Sequence, residues 1–225
     1  LRRPPVAPEH GIQVQRLAVV IGDYHSQTGV RPLPMAEEEG ATIAETYPSL
    51  RLTATLTDMT ALLNGRLAVD GQPAAPEVVH VACHGHVDDK PESNGIVLSD
   101  TALRIDESTV RGGELADAGA PLVFLNACQL AQASDDLLAD QGGLAAAFLN
   151  VGARAFVAPL WSVDDLLARD MGIDFYRYTL GDGLSAGEAL RRLRTRFSQI
   201  PGHAQTTPLA YVYYGHPDLR LTLAG

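Results

Sequence analysis

A histidine and a cysteine at the ends of two apolar segments are the residues of this sequence best suited to chemistry. His84 directly follows the apolar run 77–83, and Cys128 follows the apolar run 121–127. A thiol attacks only as its thiolate, and a neighbouring imidazole accepts or stabilises the proton that it loses. Gly85 lets a backbone N–H come close to a reacting carbonyl group. The pattern indicates a His84–Cys128 pair for nucleophilic catalysis, although a free cysteine after an apolar strand is often an inert core residue.

The segments around these residues predict an α/β fold that places both of them at one edge of a sheet. Apolar strands alternate with amphipathic helices, which indicates a mostly parallel central sheet of about six strands with helices on both faces. In such sheets the chemistry lies just past the carboxyl ends of the strands. We predict strands at 16–22, 50–56, 77–83, 121–127, 153–160 and 209–214, a small hairpin at 94–105, a short extension at 219–223, and helices at 36–47, 57–68, 142–151, 163–179 and 186–198, the 57–68 helix being capped by Thr57 or Asp58.

Composition narrows the class of protein. The chain has 225 residues, a formal net charge of −10, 46% hydrophobic residues and two cysteines. We expect residues 1–13, which begin with a proline-rich stretch, to be a linker or frayed end, and residues 14–225 to form one domain. The acidic balance argues against direct contact with nucleic acid. With no long apolar run and no visible signal peptide, we expect a cytoplasmic protein that does not contact membranes.

A serine motif in the last third of the chain has two interpretations. Residues 183–187 match G-x-S-x-G, the nucleophile elbow of serine hydrolases. That elbow requires a strand immediately before the serine, whereas the segment before Ser185 has a helical pattern. Glu188 stands three residues after Ser185, which is the spacing of a helix capping box. We therefore predict that Ser185 caps the helix at 186–198.

A cluster of histidines and aspartates raises the alternative of a metal site. His84, His86, Asp88 and Asp89 resemble part of the H-x-H-x-D-H stretch of metallo-β-lactamase-like hydrolases, with His203 and His216 as distant candidates to complete it. A metal site needs enough ligands to fill its coordination geometry, and the final histidine of the stretch is replaced by Asp89. We expect no metal and no cofactor, and keep a metal-dependent hydrolase as an alternative. His80 is predicted to be a hydrogen-bonded core residue, and Cys83 a packed strand residue.

Taken in order, these segments resemble the CHAT domain, a caspase-like cysteine peptidase family. The resemblance extends over about residues 16–223, and its matching stretches are 80–86, 122–128, 142–148, 152–165, 184–194 and 214–219. It implies the caspase–haemoglobinase fold and a cysteine endopeptidase that cleaves protein or peptide substrates. Carried over residue by residue, the catalytic pair is His84 and Cys128, and the oxyanion donors are the backbone N–H groups of Gly85 and Cys128.

The sequence departs from the family pattern in two places. Gln129 and Leu130 follow Cys128 where many members have Glu-Thr, and His216 stands where a plain Gly-Asp-Pro is common. Neither departure changes His84 or Cys128. The resemblance also implies regulation by another domain or a partner protein, and the composition of 86–115 and 129–141 predicts mobile loops that a partner would order. The remaining alternative is a binding or scaffold module that keeps the pair without using it.

The resemblance suggests which residues line the first substrate pocket. They are the residues at neighbouring strand ends, namely Asp23, Asn126, Trp161 and Ser162. An Asp23 carboxylate would favour a Lys or Arg side chain, whereas the Trp161 ring would accept an apolar one. Asp23 also fits a turn after Gly22, and Ser162, three residues before Asp165, also fits a helix N-cap.

Overall fold

The secondary structure follows the alternating pattern that the sequence predicts. A computed structural model describes residues 10–25, 29–86, 94–116, 119–127, 143–198 and 206–225. Its strands are β1 (Gly11–Val14), β2 (Leu17–Ile21), β3 (Ser49–Thr53), β4 (Ala68–Val69), β5 (Gln72–Pro73), β6 (Val78–Ala82), β7 (Gly85–His86), β8 (Gly95–Val97), β9 (Arg104–Asp106), β10 (Leu122–Asn126), β11 (Ala155–Pro159), β12 (Tyr211–Tyr214) and β13 (Arg220–Leu223). Its helices are α1 (Pro34–Thr46), α2 (Leu56–Leu63), α3 (Glu107–Arg111), α4 (Leu144–Asn150), α5 (Asp165–Tyr176), which continues into a π-helical turn (Arg177–Gly181), α6 (Ala186–Phe197) and α7 (Thr207–Ala210).

The described residues form a central sheet of six strands in the order β12-β11-β10-β6-β2-β3. The neighbouring pairs from β11 to β3 are parallel, and β12 pairs antiparallel with β11. The residues of β6, β10 and β11 are all buried, as expected for strands covered on both faces. The predicted α/β fold is confirmed.

Helices cover the two faces of this sheet because successive side chains of each strand point to opposite sides. Val123 and Leu125 pack into a cluster with α2 and α4, whereas Phe124 between them packs into a second cluster with α1, α5 and α6. Both clusters consist of buried apolar side chains, whose removal from water is the main force that holds the layers together. Three layers of this kind leave the carboxyl ends of the parallel strands open at one edge.

A second, two-stranded sheet joins the two ends of the described chain. Strand β1 pairs in parallel with β13 in a register that places Ile12 opposite Leu221. Ile12 and Val14 are buried. Residues 11–13, expected to be part of a linker, therefore belong to the fold, while residues 1–9 lie outside the described residues. Two alternating apolar positions next to a proline-rich stretch are too short a pattern to predict a strand.

Two other details differ from the sequence-based expectation. Helix α2 begins at Leu56 with Thr55 as its N-cap, because the Thr55 hydroxyl accepts the Asp58 N–H at 3.1 Å. The small hairpin predicted at 94–105 is confirmed, because β8 pairs antiparallel with β9. The described part of 86–115, which was expected to be a mobile loop, instead includes β8, β9 and α3 and is anchored by buried Ile96, Leu98 and Ile105. Single apolar residues separated by polar ones give no periodic signal. Residues 87–93 and 129–141 lie outside the described residues.

Within the part of the chain that the structure describes, no helix has both the length and the apolar character needed to cross a membrane.

Ser185 is the N-cap of α6, as the sequence predicts. Its hydroxyl accepts the Glu188 N–H at 3.3 Å, and the residues before it form a π-helical turn rather than a strand. The Glu188 carboxylate does not complete a reciprocal capping box but pairs with Arg191 at 2.6 Å. The strand–turn–helix context of a nucleophile elbow is absent around this serine.

Replacing Ser185 with alanine is expected to lower the free energy of unfolding by about 1 kcal/mol, because one N-terminal N–H of α6 loses its acceptor. Chemical denaturation measures this change. The control is Glu188→Gln on the same first turn, which removes an exposed ion pair with Arg191 and is expected to destabilise the protein less than Ser185→Ala does. Loss of catalysis at unchanged stability in Ser185→Ala would restore the serine nucleophile.

Candidate active site

The strands that lead to the candidate residues end level with one another. In the register of the sheet, Ala82 of β6 pairs with Ile21 of β2 on one side and with Asn126 of β10 on the other. His84 follows Ala82 by two residues, so its side chain lies at the carboxyl edge of the sheet. This is the edge at which parallel α/β sheets carry their binding sites.

The His84 imidazole is held by a backbone carbonyl. Its Nε2 lies 2.7 Å from the carbonyl oxygen of Arg31 in the segment that precedes α1. Because a carbonyl oxygen only accepts hydrogen bonds, Nε2 must carry the hydrogen. In the neutral imidazole Nδ1 is then the nitrogen that can accept a proton. The side chain is half-buried, so it is fixed in place yet open to a reactant.

Tyr24 supports His84 from the end of β2, and sequence reasoning missed it. The Tyr24 hydroxyl accepts the backbone N–H of His84 at 3.0 Å and donates to the carbonyl of Val97 at 2.8 Å. The two rings lie 4.9 Å apart between centroids. Burial raises the pKa of Tyr24, so it stays a neutral donor. Gly22 makes room for it, since a Cβ at that position would overlap the Tyr24 ring.

Cys83 is buried beside Tyr24 and His84, and its thiol is unreactive. Burial raises the pKa of its thiol to about 12, which keeps the sulfur protonated at neutral pH. The sequence-based prediction that Cys83 is a packed strand residue is confirmed by its 4% exposure.

A cavity of about 480 Å³ opens next to His84. This volume lies in the range of small-ligand sites and is large enough for a long side chain. One wall comes from the segment leading into α1 and from α1 itself, another from the start of α5, and the floor includes the end of β10. The polar residues that line it include Arg31, Glu39, His84, Asn126, Asp164 and Asp165.

Two of the four predicted pocket residues line this cavity, and two do not. Asn126 and Ser162 are among its lining residues. Asp23 instead lines a separate hollow with Glu37 and Arg51, and its carboxylate accepts the His25 N–H at 3.2 Å, the turn arrangement considered as the alternative. The Asp23 carboxylate is therefore engaged in the turn after β2 and is not among the residues that line the cavity beside His84.

Trp161 and Ser162 differ from expectation in their surroundings. Trp161 is 36% exposed and does not line the cavity. The N-cap of α5 is Asp164, whose carboxylate accepts the Leu167 N–H at 3.1 Å, so Ser162 is not the cap. Asp165 follows in the first turn of α5 and is exposed.

A buried polar cluster lies beneath the cavity, and of its members the sequence singles out only His80, as a core residue, and Asn126, as a pocket residue. We define the cluster by its members, Glu39, His80, Asn126, Tyr176 and Tyr211. His80 is fully buried, with Nδ1 3.2 Å from the Tyr176 hydroxyl and Nε2 3.2 Å from a Glu39 oxygen, the latter within ion-pair distance but poorly aligned for a hydrogen bond. The prediction that His80 is a hydrogen-bonded core residue is confirmed. Glu39 carries no signal in the sequence because it stands in a run of three glutamates.

Several predicted residues lie outside the described residues. They are Cys128, the departures Gln129 and Leu130, and the candidate metal ligands Asp88, Asp89 and His203. In the described ranges, which include His84, His86 and His216, no group of three or more His, Cys, Asp or Glu side chains could hold a metal ion. Gly85, the predicted oxyanion donor, is half-buried in β7, whose partner is β8.

Comparison with solved structures identifies the fold. The Arg-specific cysteine proteinase gingipain R (RgpB) of Porphyromonas gingivalis superposes with a TM-score of 0.59 at 11% identity, covering 92% of this chain and 47% of that one. Separase in the Saccharomyces cerevisiae separase–securin complex gives 0.57 at 14% identity, covering 95% and 12%. Caspase-1 from Spodoptera frugiperda gives 0.57 at 10% identity, covering 99% and 96%. The chain thus spans about half of the gingipain chain and nearly all of the caspase chain, and it has the fold of caspase-like cysteine proteases.

Comparison of sequences identifies the family. No curated protein matches the chain closely enough to count as a relative. The family model of the CHAT domain matches residues 2–211, which is most of the sequence. The chain therefore belongs to the CHAT domain family.

Proposed function

We propose that this domain is a cysteine endopeptidase in which His84 and Cys128 cleave peptide bonds of protein substrates. The observation that carries the proposal is the His84 imidazole, held by the Arg31 carbonyl at the strand edge with Nδ1 left to accept a proton beside a cavity. Membership of the CHAT family and the caspase-like fold support the same chemistry.

The spacing of the two residues along the sheet supports their pairing. Asn126 and Ala82 are partners in the register of β10 and β6. Cys128 follows Asn126 by two residues, as His84 follows Ala82. Adjacent strands run about 4.8 Å apart, so we propose that these equal extensions of two parallel strands bring the two side chains within reach of each other.

The proposed reaction has two half-reactions. The Cys128 thiol transfers its proton to His84 Nδ1, and the thiolate attacks the carbonyl carbon of the substrate. Backbone N–H groups of Gly85 and Cys128 stabilise the resulting oxyanion. The imidazolium, stabilised by the Arg31 carbonyl, returns its proton to the departing amine, which leaves a thioester. Water then attacks the thioester with His84 as the base, releasing the acid and restoring the thiol.

The charges around the cavity support a basic substrate side chain. Among the described residues that line the cavity, Glu39, Asp164 and Asp165 are acidic and only Arg31 is basic apart from His84. Glu39 already binds Asn126, and Asp164 already caps α5. Asp165, exposed at the rim, is the carboxylate best placed to bind a Lys or Arg side chain through a charge-assisted hydrogen bond.

We also propose that the peptidase acts in the cytoplasm and is controlled by another domain or a partner protein. An unregulated cysteine peptidase would damage the cell that makes it. A wild-type domain without peptidase activity would instead favour the scaffold alternative.

Cys128→Ala and His84→Ala are each expected to lower peptide turnover at least a thousandfold, because a nucleophile and its base act as one unit. Turnover of a protein substrate mixture, read as new N-termini, measures the loss, and circular dichroism checks that the fold is intact. Ser185→Ala serves as the control that keeps the chemistry. Wild-type turnover in either variant would disprove the assignment of the pair.

Iodoacetamide is expected to label Cys128 and leave Cys83 unmodified in the folded protein at pH 7. A thiol with a pKa of about 12 is ionised in only roughly one molecule in 10⁵ at that pH, and its burial blocks access as well. Peptide mass spectrometry after timed labelling gives both rates in one sample. Equal rates at the two cysteines would show that Cys128 is not activated.

A peptide library scanned at the residue before the cleaved bond is expected to show a preference for Arg or Lys. Asp165→Asn should weaken this preference about ten- to hundredfold, the value of one charge-assisted hydrogen bond. Asp23→Asn is the matched control, since the same change is made in a separate hollow. A preference lost in Asp23→Asn and kept in Asp165→Asn would return Asp23 to the pocket.

A further inference from the structure

The buried polar cluster contains an ionisable group that the proposed reaction does not use. Glu39 is only 2% exposed, and it lines the cavity beside His84. Transfer of a carboxylate into the protein interior costs several kcal/mol unless partners compensate for the lost hydration. The contacts of the Glu39 carboxylate should therefore explain why it is buried.

Asn126 is the main partner of this carboxylate, and its amide group is fully engaged. Its Nδ2 donates to both Glu39 oxygens at 2.9 Å and to the Ala168 carbonyl at 3.0 Å. Its Oδ1 accepts the Tyr211 hydroxyl at 2.6 Å. One side chain at the end of β10 is thereby tied to α1, α5 and β12. Such a set of bonds removes the freedom of the strand end to shift or rotate.

The packing around Glu39 leaves space for the carboxylate and for little else. Gly172 of α5 faces it, and a Cβ at that position would overlap Glu39 Oε1. His80 approaches from β6 at 3.2 Å, and Arg169 of α5 contributes a more distant positive charge. The arrangement holds the Glu39 side chain in one position.

The carboxylate does not stabilise the fold through its charge. Burial is the largest influence on Glu39 and raises its pKa above the usual value, although His80, Asn126 and Arg169 each lower it in part. A carboxyl group whose pKa is higher in the folded state than in the unfolded state favours folding when it is protonated, and this contribution is lost as pH rises through the folded pKa. The ionised form of Glu39 is therefore less favourable to folding than its protonated form.

Glu39 stands where it connects the two halves of the proposed catalytic pair. Asn126 precedes Cys128 by two residues. Arg31, whose carbonyl orients His84, lies three residues before the start of α1, the helix that carries Glu39. A single carboxylate thus links the strand that leads to the nucleophile with the segment that orients the base.

We propose that Glu39 is a positioning residue of the peptidase. Through its bonds to Asn126, Glu39 fixes the end of the strand before Cys128 relative to helix α1. It thereby also fixes that strand end relative to the Arg31 carbonyl, which orients His84. This inference rests on the proposed function. Displacements of about 1 Å between reacting groups slow enzymes by about a hundredfold. The positioning role therefore predicts a large effect on turnover and a small one on substrate affinity.

The test is the isosteric change Glu39→Gln, with Glu38→Gln as the matched control. Glu38 is the preceding residue of α1, is exposed and pairs with Arg169, so its change has the same chemistry on the outside of the helix. We expect Glu39→Gln to lower kcat about ten- to hundredfold, to leave KM within about twofold and to leave Tm unchanged or raised. Glu38→Gln should leave all three near the wild-type values.

A second variant tests the Glu39–Asn126 contact itself. Asn126→Asp places two carboxylates face to face and should lower kcat, whereas the double change Glu39→Gln with Asn126→Asp restores one donor and one acceptor with their roles exchanged. Partial recovery of kcat in the double variant, relative to Asn126→Asp, supports the contact. A double variant no better than the product of the two single effects would contradict it.

The labelling rate of Cys128 separates failure of this inference from failure of the proposed function. A wild-type domain with no turnover and with Cys128 no more reactive than a free thiol would disprove the peptidase and this inference with it. A wild-type domain with a reactive Cys128, together with Glu39→Gln at full kcat, would overturn only the positioning role. A fall in Tm of Glu39→Gln that accounts for its lost activity would assign Glu39 to stability and also overturn it.

Discussion

The hydrogen bond from His84 to the Arg31 carbonyl is the interaction on which the candidate site depends. It determines which imidazole nitrogen carries the hydrogen and which can receive one. An exposed imidazole without this bond would rotate and exchange tautomers, and a base must be oriented before it can be efficient. Tyr24, which binds the His84 backbone, and the segment before α1 together keep the ring in reach of that carbonyl.

The surroundings of this bond differ in character from the rest of the core. Most of the interior consists of apolar side chains in two clusters, where packing alone determines the structure. Beneath the candidate site the chain instead buries a carboxylate, an imidazole and an amide. Polar groups in that position give directional contacts that apolar packing lacks, and they do so at some loss of stability. The distribution is that expected where placement matters more than stability.

The sequence predicts the sheet well because parallel strands buried on both faces are continuous apolar runs, as in 77–83 and 121–127. It also places His84 at the edge, since the order of residues alone determines which side chain comes after the end of a strand. It does not predict Glu39, because one glutamate among three shows no sign that it faces inward, and it misplaces Asp23, because side-chain direction after a strand depends on the contacts of the neighbouring residue. Strand β1 was not predicted either, because its two apolar residues are too few for a pattern and its partner strand β13 lies at the other end of the chain.

Covalent trapping of the proposed nucleophile tests the proposed peptidase activity most directly. The domain is incubated with a peptidyl acyloxymethyl ketone that carries Arg next to its reactive carbon, and the adduct is located by peptide mass spectrometry. We expect one adduct, on Cys128, which the wild-type protein forms and His84→Ala does not. An adduct on Cys83, or an adduct on Cys128 that forms at the same rate without His84, would contradict it.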